Sequence, residues 1–141
     1  MAFFLLFNIY NKIYFMAAGR YSFVIEQGAT LNLELQYKDS NGTPINLTDY
    51  SGRMQIRPSV TSTTVYITLS SSLDVDGTGL NFSGSNGTTP PTSGSIGVYI
   101  SAASSSALSF DQAVYDLEIY SGSYVSRILE GQVKLSLNVT R

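Results

Sequence analysis

Hydrophobic and polar residues alternate with a period of two along most of the chain after residue 20. In the last strand, the clearest case, apolar residues from Val133 to Val139 alternate with Gln, Lys, Ser and Asn. At Leu31–Tyr37, three leucines and a tyrosine alternate with Asn, Glu and Gln, as in a strand with one buried face. Shorter strands are predicted at 80–82 and 124–129. The same alternation predicts strands with these apolar positions: Met54 and Ile56; Val65, Ile67 and Leu69; Ile96, Val98 and Ile100; Tyr115, Leu117 and Ile119; Val133, Leu135, Leu137 and Val139.

Turn signals separate these segments. Asn41-Gly42 tolerates the positive φ of tight turns, and Pro58 removes a ladder donor at the end of its strand. One short helical turn is predicted at 101–108, with Ser101 as its N-cap. About seven or eight short strands with turns at intervals of roughly 8–15 residues predict an all-β fold, an antiparallel sandwich.

The first sixteen residues form the most hydrophobic stretch of the chain. They are too short for a membrane span and are interrupted by polar residues. Three interpretations stay open: a second start at Met16, an anchoring arm, or a signal peptide, although no basic residue precedes Phe3. The domain division is therefore 1–18, an apolar arm or a misassigned start, and 19–141, the sandwich. As a docking arm, the segment would present Phe3, Phe4, Leu5, Leu6, Phe7, Ile9, Tyr10, Ile13, Tyr14 and Phe15.

The amino-acid composition excludes several kinds of catalytic and metal-binding site. The 141 residues are 43% hydrophobic and 13% charged and contain no Cys, His or Trp, which excludes Ser-His-Asp triads, cysteine nucleophiles and zinc fingers. The formal net charge of −2 gives no basic footprint for nucleic acid. We therefore expect no enzyme activity, no catalytic or metal-binding residues, no cofactor and no nucleic-acid partner.

Two groups of carboxylates invite a chemical interpretation. Asp74–Gly79 resembles part of a calcium loop but lacks its third acidic position and its bidentate Glu, so an acidic turn between strands is expected. Asp116 and Glu118 share one face of a strand, and a glycosidase needs two carboxylates that face one cleft. That face has the pattern of an ordinary solvent-exposed side, and we favour this second interpretation.

Cationic and aromatic side chains supply the candidate partner contacts. If their strands are neighbours, four cations form a basic stripe: Arg53, Arg57, Arg127 and Lys134. They are expected mainly to offset carboxylates on adjacent strands, namely Glu34, Asp116 and Glu118. Two tyrosines predicted to face outward, Tyr66 and Tyr99, would stack on a sugar or a protein partner. The predicted contact set is therefore Arg53, Arg57, Tyr66, Tyr99 and Arg127.

One segment carries a resemblance to a known family. Residues 38–50 read KDSNGTPINLTDY, similar to a pattern D-x-x-G-x-P-I-D-L-T-G-Y of small proteins of tailed bacteriophages, with Asp49 where that pattern usually has Gly. The similarity continues at 51–57, 114–119 and 127–133 and in the opening, 19–30. Over most of residues 19–141 the chain resembles the Ig-like N-terminal domain of phage baseplate upper proteins.

The resemblance implies an Ig-like β-sandwich that acts as a non-enzymatic structural protein of the virion, made in the cytoplasm of the bacterial host. A tail or baseplate component is expected, in contact with other virion proteins in a symmetric, multi-copy assembly. The N-terminal arm would then dock on a neighbouring subunit. The alternatives are a capsid decoration protein and a host-surface glycan-binding or adhesive module.

Overall fold

The computed structural model describes residues 5–9, 12–15 and 19–140, with side chains described for residues 19–140. These residues form strands, one short α-helix and a single turn of 3-10 helix at Pro91–Ser93. The elements are β1 (Leu5–Ile9), β2 (Lys12–Phe15), β3 (Gly19–Arg20), β4 (Phe23–Glu26), β5 (Leu31–Tyr37), β6 (Ser51–Arg57), β7 (Ile67–Ser70), β8 (Gly79–Asn81), β9 (Ser95–Ile100), α1 (Ala102–Ser106), β10 (Gln112–Ser121) and β11 (Tyr124–Ser136).

The strands form two sheets. Sheet A has the order β1-β2-β5-β9-β8, and sheet B has the order β3-β11-β10-β6-β7, with β4 also paired to β11. Apolar side chains of both sheets, among them Leu35 and Ile96 from sheet A and Ile56 and Leu117 from sheet B, belong to one buried core. The all-β prediction is confirmed, since the two sheets enclose a common core.

The prediction of purely antiparallel pairing needs a correction. Most neighbours are antiparallel, but β3 and β4 run parallel to β11, and β2 runs parallel to β5. Two adjacent parallel strands must be joined by a crossover connection, which leaves the sheet and re-enters it at the end where the first strand began. Here the chain passes from β2 in sheet A to β3 and β4 in sheet B, and then back to β5.

The long β10–β11 hairpin forms the centre of sheet B. On β10 the side chains of Ala113, Tyr115, Leu117 and Ile119 are buried, which confirms the predicted inward face. The register shifts opposite Leu117 and Glu118, and both Ile128 and Leu129 are buried at that point. The bulge thus lets two consecutive residues of β11 face the core.

Two predicted strand ends are wrong. The alternation placed Leu137 and Val139 on the buried face of the last strand, but β11 ends at Ser136 and both side chains are exposed. Val65 was likewise predicted to be inward, yet β7 begins at Ile67 and Val65 is exposed. In both places the apolar alternation continues past the last ladder partner, and without a partner strand it buries nothing.

The outer face of sheet A is covered in part by a loop. Gly97 alternates along β9 with the core residues Ile96 and Val98, and a Cβ added to it would lie 2.8 Å from the backbone nitrogen of Ser85. The Ser85 N–H and hydroxyl donate to the carboxylate of Glu34 at 3.1 and 2.6 Å, and Glu34 lies opposite Gly97 in the ladder. Gly97 therefore leaves room for the loop that Glu34 holds.

The predicted helical turn is present as α1. Its N-cap is Ser101, whose side chain accepts a hydrogen bond from the Ser104 N–H at 3.0 Å, as expected for a serine cap. The Asp76 carboxylate accepts hydrogen bonds from the hydroxyls of Ser101 (2.6 Å) and Ser104 (3.0 Å), so it ties the β7–β8 loop to the helix.

Among the described residues, no helix has the length and apolarity needed to cross a membrane.

Candidate functional site

The outer face of sheet B carries most of the cationic side chains. Residues that alternate with the buried positions of β6, β10 and β11 point away from the core, and they line a shallow depression of about 710 Å³. Arg53, Arg57 and Arg127 of the predicted contact set all line it, together with Arg20. Their strands are neighbours, as the basic-stripe hypothesis required. The fourth predicted cation, Lys134, is exposed on β11 but does not line the depression.

Cross-strand ion pairs organise this depression. Arg53 Nε lies 2.8 Å from Glu118 Oε1, and Arg20 Nη2 lies 3.1 Å from Glu130 Oε2. Arg127 Nη1 lies 3.8 Å from both Asp116 and Glu130. The expectation that Asp116 and Glu118 offset the arginines agrees with this geometry. Glu34 does not take part in these pairs, because it belongs to sheet A and holds the loop at Ser85.

Two arginines are also held by uncharged groups. Arg57 donates to Gln55 Oε1 at 2.7 Å and to the carbonyl oxygen of Ser62 at 2.7 Å, so it anchors the loop between β6 and β7. The guanidinium of Arg53 lies 4.7 Å from the centre of the Tyr120 ring, within cation–π range. These contacts hold the guanidinium groups of Arg53 and Arg57 in defined orientations.

Burial and neighbouring charges affect the titration of Asp116 and Arg53 on this face. Burial raises the pKa of Asp116, and the neighbouring charge of Glu118 adds to this increase, while Arg127 opposes it. The hydrogen bond from Arg53 to Glu118 raises the pKa of the arginine. Asp116 and Glu118 thus each pair with an arginine of a neighbouring strand, which fits the favoured interpretation of a solvent-exposed side.

The two predicted tyrosine contacts lie apart in the fold. Tyr99 is on β9 of sheet A, whereas Tyr66 precedes β7 of sheet B. The Tyr66 ring stacks on Phe110, with 4.6 Å between ring centres and 12° between planes. Because Phe110 is buried, this stacking makes Tyr66 part of the core margin. The structure gives the pair no common platform for a sugar ring.

The predicted docking arm falls partly outside the described residues, which do not include Phe3, Phe4 and Tyr10. Leu5, Leu6, Phe7 and Ile9 lie on β1, and Ile13, Tyr14 and Phe15 lie on β2. These strands form an antiparallel hairpin, and β2 pairs with β5 from Lys12↔Glu34 to Phe15↔Tyr37. The backbone of the arm is thus an extension of sheet A.

The Asp74–Gly79 segment forms a turn between β7 and β8. The Asp74 N–H donates to Thr78 O at 3.0 Å, and Gly77 N–H donates to Asp74 O at 2.9 Å. Hydrogen bonds, first from the Ser101 hydroxyl and then from Thr78, hold the pKa of Asp76 well below its ordinary value. In the part of the chain that the structure describes, no three potential metal ligands converge.

Sequence reasoning missed several members of the depression. Arg20, Gln55 and Glu130 line it but do not belong to the predicted contact set. The parallel pairing of Arg20 with Glu130 brings the first of these to the others. No period-two signal marks a two-residue strand, so only the fold could have identified Arg20.

Comparisons with known proteins do not assign this chain to a family. No protein-family model matches the chain, and no curated protein sequence matches it.

Proposed function

We propose that the chain is a non-enzymatic structural protein of a tailed-phage virion, a tail or baseplate component that assembles through protein–protein contacts. The observation that carries the proposal is the conformation of Asp49. Its φ is 70°, and it is the one non-glycine residue with positive φ that the described residues contain. In the phage pattern this position is usually Gly, the residue that adopts positive φ most readily, and Asp is among the residues that tolerate it.

The segment around Asp49 supports the same resemblance. Asp39 Oδ1 accepts from the N–H groups of Asn41 and Thr43, both at 2.9 Å, so the D-x-x-G turn is built by its own first residue. Leu47 of the same segment is buried, and its N–H donates to the carbonyl oxygen of Pro91 at 3.0 Å. The quoted residues thus specify a backbone shape, as expected of a motif shared by structural modules.

The strand order supports an Ig-like sandwich. The order β5-β9-β8 corresponds to strands B-E-D, and the order β11-β10-β6-β7 corresponds to G-F-C-C′ of a variable-type domain. The chain has neither the Trp nor the disulfide of antibody domains. Its core is instead filled by aliphatic and aromatic side chains, among which the rings of Phe23 and Tyr115 meet edge to face at 5.1 Å.

The outer face of sheet B is the proposed contact surface. Its depression is lined by four arginines (Arg20, Arg53, Arg57 and Arg127) and three carboxylates (Asp116, Glu118 and Glu130), a net charge of +1 in a chain of net charge −2. Charges of both signs at fixed positions contribute more to the specificity and orientation of binding than to its affinity. Repetition around a symmetry axis would multiply a modest contact into a stable ring.

The test is to locate the protein in particles of the phage that encodes it. Tail and capsid fractions of purified particles are separated, and the chain is quantified in each by mass spectrometry against a known tail protein. We expect it in the tail fraction at a fixed copy number. Enrichment in the capsid fraction would favour the decoration protein, and absence from washed particles would overturn the proposal.

A further inference from the structure

The β7–β8 turn (Asp74–Gly79) presents an apolar side chain to solvent. Val75 is fully exposed at the tip of the turn, and Leu73 is exposed just before it. The carboxylates of Asp74 and Asp76 flank Val75 and are also exposed. A surface that complements this tip must therefore offer apolar area and positive charge together.

Hydrogen bonds hold the turn in one conformation. The Asp76 carboxylate accepts from the Thr78 N–H at 3.0 Å and from the Ser101 hydroxyl at 2.6 Å. The main chain closes the turn, since the Asp74 N–H donates to the carbonyl oxygen of Thr78 at 3.0 Å. A segment that is ordered before binding loses little conformational entropy when it binds, so this turn is suited to a contact.

The depression on the outer face of sheet B offers both properties that the tip requires. Val60 and Val114 contribute apolar surface to its lining, beside the four arginines and three carboxylates. The depression thus carries a net charge of +1, and because the whole chain carries −2, the rest of the chain carries −3. A second copy of the chain therefore brings acidic surface that is complementary in charge to the depression.

Arg57 is the lining arginine best placed to receive a carboxylate. The other three each take part in an ion pair, whereas Arg57, in the part of the chain that the structure describes, donates only to the uncharged oxygens of Gln55 and Ser62. A guanidinium has five N–H groups, and these contacts engage three of them. Two remain for a partner, and Val60 lies in the loop that Arg57 anchors. A donor and an apolar side chain thus lie close together in sequence here, as an acceptor and an apolar side chain do on the turn.

We infer that the depression of sheet B receives the β7–β8 turn of a second copy, with Val75 against its valines and Asp74 beside Arg57. The inference rests on the proposed function, since it names the partner of the proposed contact surface. No residue from 71 to 78 lines the depression of its own chain, and Asp76 holds the turn at α1, so the contact joins two copies. Because it joins two different surfaces, its repetition gives a ring where the rotation between copies closes.

The experiment uses disulfide trapping in the full chain, which contains no native cysteine. Val75→Cys and Val60→Cys are made as separate variants, one with a size tag, and are mixed at low ionic strength and oxidised. We expect a species that contains one tagged and one untagged chain and that a reducing agent separates. The matched control replaces Val60→Cys by Val139→Cys, which is as exposed but does not line the depression, and its yield should be far lower.

A second comparison tests the charge complementarity. Asp74→Arg, added to the Val75→Cys chain, should lower the yield severalfold, because it places a cation beside Arg57. Asp111→Arg makes the same change of net charge at an exposed position away from the turn, and it should leave the yield unchanged. Equal yields at Val60 and Val139, no mixed species, or equal effects of the two charge reversals would overturn the inference. Particle fractionation tests the proposed function separately, so either can fail while the other stands.

Discussion

The contact between Gly131 and Tyr21 allows the sharpest stability prediction. Gly131 lies opposite Tyr115 on the inward face of the β10–β11 hairpin, and an added Cβ would lie 1.9 Å from the carbonyl oxygen of Tyr21. That oxygen accepts a 2.6 Å hydrogen bond from the Tyr115 hydroxyl. The substitution Gly131→Ala must therefore displace the junction of β3 and β4 and break this bond.

The magnitude follows from two contributions. Overpacking at a tight site costs about 1–3 kcal/mol, and a buried hydroxyl that loses its partner costs about 1–3 kcal/mol. Tyr115 is 4% exposed, so water cannot readily replace Tyr21. We expect Gly131→Ala to lower the free energy of unfolding by about 3 kcal/mol, which for a chain of this length lowers Tm by about 10 °C.

Urea denaturation of a double-mutant cycle with Tyr115→Phe tests the cause. Tyr115→Phe alone should cost about 1–2 kcal/mol, and Gly131→Ala should cost less by a similar amount in that background, because the hydrogen bond is already lost. Gln132→Ala, at the next and exposed position, is the control and should stay within about 0.5 kcal/mol of the parent. Strict additivity, or a loss below about 1 kcal/mol for Gly131→Ala, would refute the reasoning.

Three further predictions concern electrostatics and packing. Hydrogen bonds, first that of Ser101, lower the pKa of Asp76 from its ordinary 3.8. The ionised Asp76 therefore stabilises the folded state above pH 3.8, and this contribution is lost as the pH falls below that value. Asp76→Asn should therefore be less stable than the parent at pH 7, and urea titrations should show the gap narrowing toward pH 2; a constant gap would contradict this. Glu118→Gln should lower Tm slightly through loss of the Arg53 ion pair, and about 1 M NaCl should remove most of the difference; an effect insensitive to salt would argue against an ion-pair origin. Gly97→Ala should cost about 1–3 kcal/mol through the clash with its covering loop, and limited proteolysis should show faster cleavage at residues 84–89, whereas an unchanged cleavage rate would count against the packing argument.

The candidate contact surface was only partly predictable from the sequence. Alternation placed Arg53 and Arg57 on an outward face, and both line one depression together with Arg127 of the predicted contact set. Tyr66 shows the limit of this method, because its stacking on Phe110 joins residues 44 positions apart. Sequence spacing does not encode such a contact, which depends on how the loop after β6 returns toward the core.

Within strands that pair along their length, the sequence by itself determined which side chains face inward, as Leu117 and Ile119 show, and it also determined where the chain turns, as at Asn41-Gly42. Both are local properties, since side-chain direction has a period of two and turns depend on a few φ values. Only the tertiary structure decided that β4 runs parallel to β11 and that β2 covers β5. Those pairings are long-range: every strand offers the same backbone donors and acceptors, so neighbours are chosen by the packing of the whole core.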